Sequence, residues 1–123
     1  MKFAFYFGHP AQFLFVRKTI ANLIDEGHEV LIQIKKKDVL EELLKASAFE
    51  YINIQPEERK NSKLAAFTSL IKRNRKILPA LREFQPDLLI SSDASYAQLG
   101  FFLRIPFFLI VQPLHFDELL KVG

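Results

Sequence analysis

The sequence has no cysteine, no tryptophan, one methionine and only four glycines in 123 residues. Without cysteine there is no disulfide scaffold, no thiolate zinc site and no cysteine nucleophile. The redox compartment stays open. No stretch is long and apolar enough to span a bilayer. The nearest, residues 101–111, is interrupted by Arg104 and Pro106. The first residues do not read as a signal peptide. Their apolar run breaks at Gly8-His9-Pro10, lacks a small-residue cleavage site and passes straight into a folded pattern. A cytoplasmic protein is therefore expected, with the inner face of the membrane as the one surface it would visit. The glycine fingerprint of dinucleotide binding is missing too: GHPAQF lacks the second and third glycines of G-x-G-x-x-G. With no Walker lysine loop either, nicotinamide or flavin chemistry is not expected, and no cofactor is assigned. Three scattered histidines and no tight acidic cluster do not match metal-ligand spacing.

What is present is ordinary globular material. Half of the residues are hydrophobic and 25% are charged, enough for one core and one domain. Thirteen phenylalanines make that core Phe-rich. The formal net charge of +3 is mild, and by itself gives little support for a nucleic-acid partner.

Residues 3–7 form a short continuous apolar run, the mark of a strand buried on both faces. From Ala11 the spacing changes. Phe13, Val16, Ile20, Leu23 and Ile24 recur at helical intervals and predict one buried stripe, closed by Gly27 as a C-cap. HEVLIQI, residues 28–34, reads as a second strand. Asp38 and Glu41 predict a capping box opening a helix to Ala46. Residues 49–54 read as a third strand. A helical period then runs from Leu64 to Phe84, with Pro79 expected to kink or split it. Residues 88–91 read as a fourth strand, 94–103 as a helix with Gly100 a weak point, and 107–111 as a fifth strand. The tail holds a short amphipathic piece at 116–121.

Five alternations of strand and helix imply right-handed crossovers and a parallel sheet covered on both faces. The expected fold is a Rossmann-like three-layer α/β/α domain over residues 1–112, with strand order 3-2-1-4-5. Residues 113–123 are then a tail or the start of an interdomain linker.

In such sheets ligands bind beyond the carboxyl ends of the strands, where the order reverses. That crevice lies between strands 1 and 4. Gly8, His9, Pro10 and Ala11 border it after the first strand, and Ser91, Ser92 and Asp93 after the fourth. Gly8 lets backbone approach a ligand closely. Pro10 suits the first turn of a helix, and the free N–H groups that follow favour an anion. His9 and Asp93 are the candidate catalytic pair. A histidine oriented by a carboxylate can act as general base toward an acceptor hydroxyl. Plainer roles remain open: His9 as a cap or packing residue, Asp93 as an N-cap, and the serines as turn chemistry. Gln112 and His115, after the fifth strand, are further ligand-binding candidates, with an exposed loop histidine the plainer reading of His115.

Lys72, Arg73, Arg75 and Lys76 form a basic cluster. A solvated helix face explains it, and an anionic membrane surface is the partner class that it admits. No aromatic interleaves with these charges, so nucleic-acid stacking has no support.

The run KFAFYFGHPAQFLFVRKTIANLIDEGHEVLI resembles the start of GT-B glycosyltransferases and the related UDP-N-acetylglucosamine 2-epimerases. It is most similar to an uncharacterised GT-B-like family of that superfamily, known only as a domain of unknown function. KDVLEELL, FQPDLLIS and LRIPFF are similar to later parts of the same N-terminal domain. The resemblance implies a two-domain protein with its active site in the cleft between the domains. The N-terminal domain would hold the acceptor and the C-terminal domain the nucleotide sugar. It also implies a histidine base at the first strand–helix loop, matched by His9, and a paired aspartate, matched by Asp93. The chain stops at Gly123 short of the nucleotide-sugar domain that the resemblance implies, as a fragment or excised domain would, or a short relative that needs a partner chain; the isolated chain is expected to turn over no substrate. The alternative is a stand-alone module that binds a small anion or a protein without catalysis.

Overall fold

The computed structural model describes residues 1–35, 38–54 and 63–110. Among these residues strands and helices alternate: β1 (Lys2–Phe7), α1 (Pro10–Asp25), β2 (Glu29–Lys35), α2 (Asp38–Ala46), β3 (Ile52–Ile54), α3 (Lys63–Phe84), β4 (Leu88–Ser91), α4 (Ala94–Leu103) and β5 (Phe107–Leu109). The strands form one five-stranded parallel sheet in the order β3-β2-β1-β4-β5. The result is the three-layer α/β, Rossmann-like architecture that the alternation implies.

The central strand β1 explains the two cores. Successive side chains of a strand point to opposite faces. Phe5 and Phe7 therefore join Phe13, Val16 and Ile20 of α1 and Leu40 and Leu44 of α2. Ala4 and Tyr6 join Ile77 and Leu81 of α3 and Tyr96 and Leu99 of α4. Each fully buried Phe or Leu contributes roughly 1.5–3 kcal/mol. β1 pairs with β2 on one side and β4 on the other, with Tyr6 opposite Gln33 and Ser91. This register sets the ends of β1 and β4 side by side.

Several local details differ from the pattern reading. Ile24, expected on the buried stripe, is 44% exposed, while its neighbour Leu23 takes the core side of the last turn. Gly27 has φ of 90° just beyond the C-cap Glu26, the left-handed role expected of it. β3 is shorter than expected, since Phe49 and Tyr51 pack on the core from outside the ladder. Glu41 Oε1 accepts from Asn53 Nδ2 at 2.5 Å; the capping box expected of Asp38 falls on a side chain outside the described residues. α3 is not split at Pro79. Pro79 and Arg75 are both exposed, so the carbonyl that loses its donor four residues back faces water. Gly100 is no weak point. A Cβ there would lie 3.0 Å from the Ile105 carbonyl oxygen and 3.2 Å from Leu89 Cδ1, so α4 needs a glycine to approach β4 and β5.

Candidate crevice at the ends of strands 1 and 4

The chain leaves β1 at Phe7 and enters α1 through Gly8 and His9. His9 is the N-cap, in extended backbone, and its Nδ1 accepts from Ala11 N–H at 3.2 Å. Pro10 takes the first helical position, where a missing N–H is harmless. A Cβ added at Gly8 would meet nothing within 4 Å, and its φ is not left-handed. Neither packing nor a left-handed backbone requires glycine there, and the space beside its Cα is open.

On the other side, β4 runs into α4 through Ser91, Ser92 and Asp93. Ser91 is buried; its Oγ donates to the Tyr6 carbonyl at 2.8 Å and accepts from Asp93 N–H at 3.0 Å. Asp93 caps α4, its Oδ1 accepting from Ser95 N–H at 2.8 Å. Arg73 of α3 reaches the same cap. Its Nε donates to Ser95 Oγ at 2.8 Å and its Nη2 lies 3.4 Å from Asp93 Oδ1. Two helix N-termini, neither with an acidic residue in its first turn, thus open on the same edge of the sheet, and their dipoles favour negative charge there.

Gln12 joins the two loops. Its Oε1 accepts from Gly8 N–H at 3.2 Å, and its Nε2 donates to Ser92 Oγ. Gln12 thus ties the loop that carries Gly8 and His9 to the loop that carries Ser92 and Asp93, at the carboxyl ends of β1 and β4. Gln112 and His115 lie outside the described residues. Among the described residues, no hydrogen bond or ion pair joins His9 to Asp93: the aspartate is engaged by Arg73 and Ser95, and the histidine by Ala11. Metal-ligating clusters of histidine and carboxylate are absent among the described residues.

The sequence reading missed Gln12, and it placed Arg73 with the solvated basic cluster, whereas the structure ties Arg73 to the α4 cap. Both partnerships span long separations, 80 residues for Gln12–Ser92 and 22 for Arg73–Ser95, so no local pattern announces them. A buried polar cluster beneath the crevice was also missed. The Tyr96 hydroxyl donates to Gln33 Oε1 at 2.5 Å, and Gln33 Nε2 donates to the Ile77 carbonyl at 3.2 Å. Gln33 inside the apolar run LIQI was the available signal. Burial pushes both tyrosines up. Tyr96 rises well above the usual phenol value. Tyr6 is pushed up to about 12, first by desolvation and then by the Asp93 carboxylate, with the Arg73 guanidinium opposing. Among the described residues no group meets full hydrogen-bond geometry with its buried hydroxyl, and the Arg73 guanidinium is the polar group that approaches it.

No protein-family model matches the chain, and no curated protein matches it. Solved structures do. UDP-GlcNAc 2-epimerase from Neisseria meningitidis, bound to UDP-GlcNAc, is similar at a TM-score of 0.70 and 17% identity, over 98% of this chain and 35% of that one. MurG from Acinetobacter baumannii is similar at 0.71 and 13% identity, over 99% of this chain and 39% of its own. The spinosyn rhamnosyltransferase SpnG, complexed with thymidine diphosphate, is similar at 0.65 and 16% identity, over 88% and 33%. The chain thus spans about a third of the length of these proteins, and it shares the fold of that third with sugar epimerases and GT-B glycosyltransferases.

Proposed function

We propose that the chain is the acceptor-side N-terminal domain of a GT-B-type protein that uses a nucleotide sugar, and that the crevice at Gly8–Ala11 and Ser91–Asp93 is its half of the active site. The observation that carries this reading is the meeting of the two loops at the carboxyl ends of β1 and β4. Two helix N-termini and a glycine open to close approach converge where the strand order reverses. The nucleotide sugar would be held by a second domain, and the chain alone would bind acceptor without transferring sugar.

His9 is the proposed base, under a condition set by its cap. A base needs a bare ring nitrogen. Nδ1 accepts from Ala11 N–H, so in the neutral ring the proton sits on Nε2, and the ring donates. Base action at Nδ1 requires His9 to leave the cap when acceptor binds. Asp93, held by Arg73 and Ser95, would have to meet the ring after that movement. The capped ring, as a donor, favours the second reading: a module that binds a small anion at Gly8–Ala11 without catalysis.

Amide spectra of the 123-residue chain, titrated with sugar phosphates and with inorganic pyrophosphate, test the site. Shifts confined to Gly8, His9, Ala11, Ser92 and Asp93 are expected. Shifts elsewhere, or none across the series, would remove the crevice as a binding site. Sugar transfer by this chain alone would refute the half-site reading.

A further inference from the structure

Most polar groups of the two loops go to local caps. His9 Nδ1 takes the Ala11 N–H, Ser91 Oγ the Asp93 N–H and Asp93 Oδ1 the Ser95 N–H, each from two residues away. The side chain of Gln12 is used differently. It reaches back to Gly8 N–H at 3.2 Å and across 80 residues of sequence to Ser92 Oγ. Its partners fix the orientation of the carboxamide. A backbone N–H can only donate, so Gly8 meets Oε1, and Nε2 is left to face Ser92.

Both bonds are part-buried. Gly8 N–H and the Ser92 hydroxyl are therefore satisfied, but by a long side chain that can swing away. The space beside Gly8 Cα is open, so a ligand reaches this point without meeting a Cβ. What it meets is the protein's own carboxamide. An oxyanion makes a better partner for these two groups than a carboxamide does. It accepts from Gly8 N–H as Oε1 does, and it also accepts from Ser92 O–H once that hydroxyl rotates. The released amide passes to water, so the exchange leaves no polar group unpaired. The first turns of α1 and α4 hold no acidic residue, and the Asp93 carboxylate is paired with Arg73. The local field then favours a negative group over a neutral one.

We propose that Gln12 is a latch on the ligand site: an oxyanion of the phosphate class displaces its carboxamide from Gly8 N–H and Ser92 Oγ and takes both positions. The inference rests on the reading of this junction as a ligand site, and it adds the residue that sets the affinity there.

Titration of the 123-residue chain with inorganic pyrophosphate, read by amide spectra, tests it, with circular dichroism checking the fold of each variant. In the parent, the side-chain amide signals of Gln12 should move toward those of a free glutamine as the Gly8 and Ser92 amides shift. Gln12→Ala and Gln12→Asn, the second too short by a methylene to span both partners, should bind pyrophosphate about three- to tenfold more tightly, because no bridge has to be broken first. Gln12→Glu should bind it roughly tenfold more weakly at neutral pH, since the introduced carboxylate holds both donors and repels the ligand. Its Gly8 and Ser92 amide positions should already resemble those of the parent with pyrophosphate. A mere brace between the loops would do the reverse, and the shortened variants would bind less. Equal or weaker binding in both shortened variants, or Gln12 signals unmoved at saturation, would overturn the latch and leave the site itself standing. No binding by the parent or by either shortened variant would remove site and latch together.

Discussion

The cap at His9 supports a prediction that separates its structural part from its chemical one. His9→Ala removes the acceptor for Ala11 N–H, the bond of 3.2 Å that begins α1. Loss of an N-cap acceptor costs about 1 kcal/mol. An unfolding entropy of about 2.1 cal/mol/K per residue gives roughly 0.26 kcal/mol/K for this length, so Tm should fall by about 4 °C. His9→Asn keeps a good cap and removes the imidazole. It should unfold at or above the parent temperature. The assay is thermal unfolding by circular dichroism at neutral pH, with both variants measured side by side. In a protein that supplies the nucleotide-sugar half, both variants should lose turnover, although only one loses stability. An alanine variant as stable as the parent would mean that the ring does not hold the helix start. An asparagine variant as unstable as the alanine one would assign the loss to ring packing instead. Full turnover in the asparagine variant would end the base assignment.

Other outcomes follow from the same site. Tyr6, held near 12 when folded against about 10 when unfolded, favours the folded state fully below pH 10. That contribution is lost as pH rises from 10 to 12, by about 2–3 kcal/mol, so Tyr6→Phe should flatten the alkaline fall in a chemical-denaturation series. A slope as steep as the parent's would show that another group causes it. Arg73→Met should cost about 1–2 kcal/mol by freeing the partly buried Asp93 and the buried Ser95, whereas the exposed Arg75→Met should change unfolding by less than about 0.5 kcal/mol; equal effects would deny Arg73 its place at the α4 cap. Gly8→Ala should leave Tm nearly unchanged, since its Cβ meets nothing, while Gly100→Ala should lower stability by about 1–3 kcal/mol. Reversal of that order would contradict the packing described.

The elements were legible because the chain states them locally. Phe3 to Phe7 cannot be read as a surface segment, and the 3.6 spacing of Phe13, Val16 and Ile20 continues for three turns. The switch point followed from topology alone, which is why Gly8, His9 and Ser91–Asp93 could be named. Side-chain partnerships were not legible. Arg73 reads as one more cation in KRNRK until the fold sets it against α4. Gln12 reads as a polar helix position until Ser92 arrives from 80 residues away. The switch point and the resemblance both suggested a His9–Asp93 pair, but each side chain found a nearer backbone N–H to cap, at Ala11 and Ser95. Pro79 was read from its local rule, and solvent relieved the penalty.

The order of strands also imposes a timetable on synthesis. β1 lies at the centre of the sheet, yet one of its neighbours, β4, pairs Phe3 with Leu88. At 5–20 residues per second the ribosome needs roughly 4 to 17 s to make the intervening chain. During that interval β1 can pair with β2 alone. One ladder of backbone groups, and the side of Tyr6 later covered by Tyr96, wait for a partner still to be made. The nascent half-sheet therefore has two open edges, β3 and β1, and the second of them is apolar. Until β4 emerges, Phe3 to Phe7 are the segment that a chaperone would have to shield.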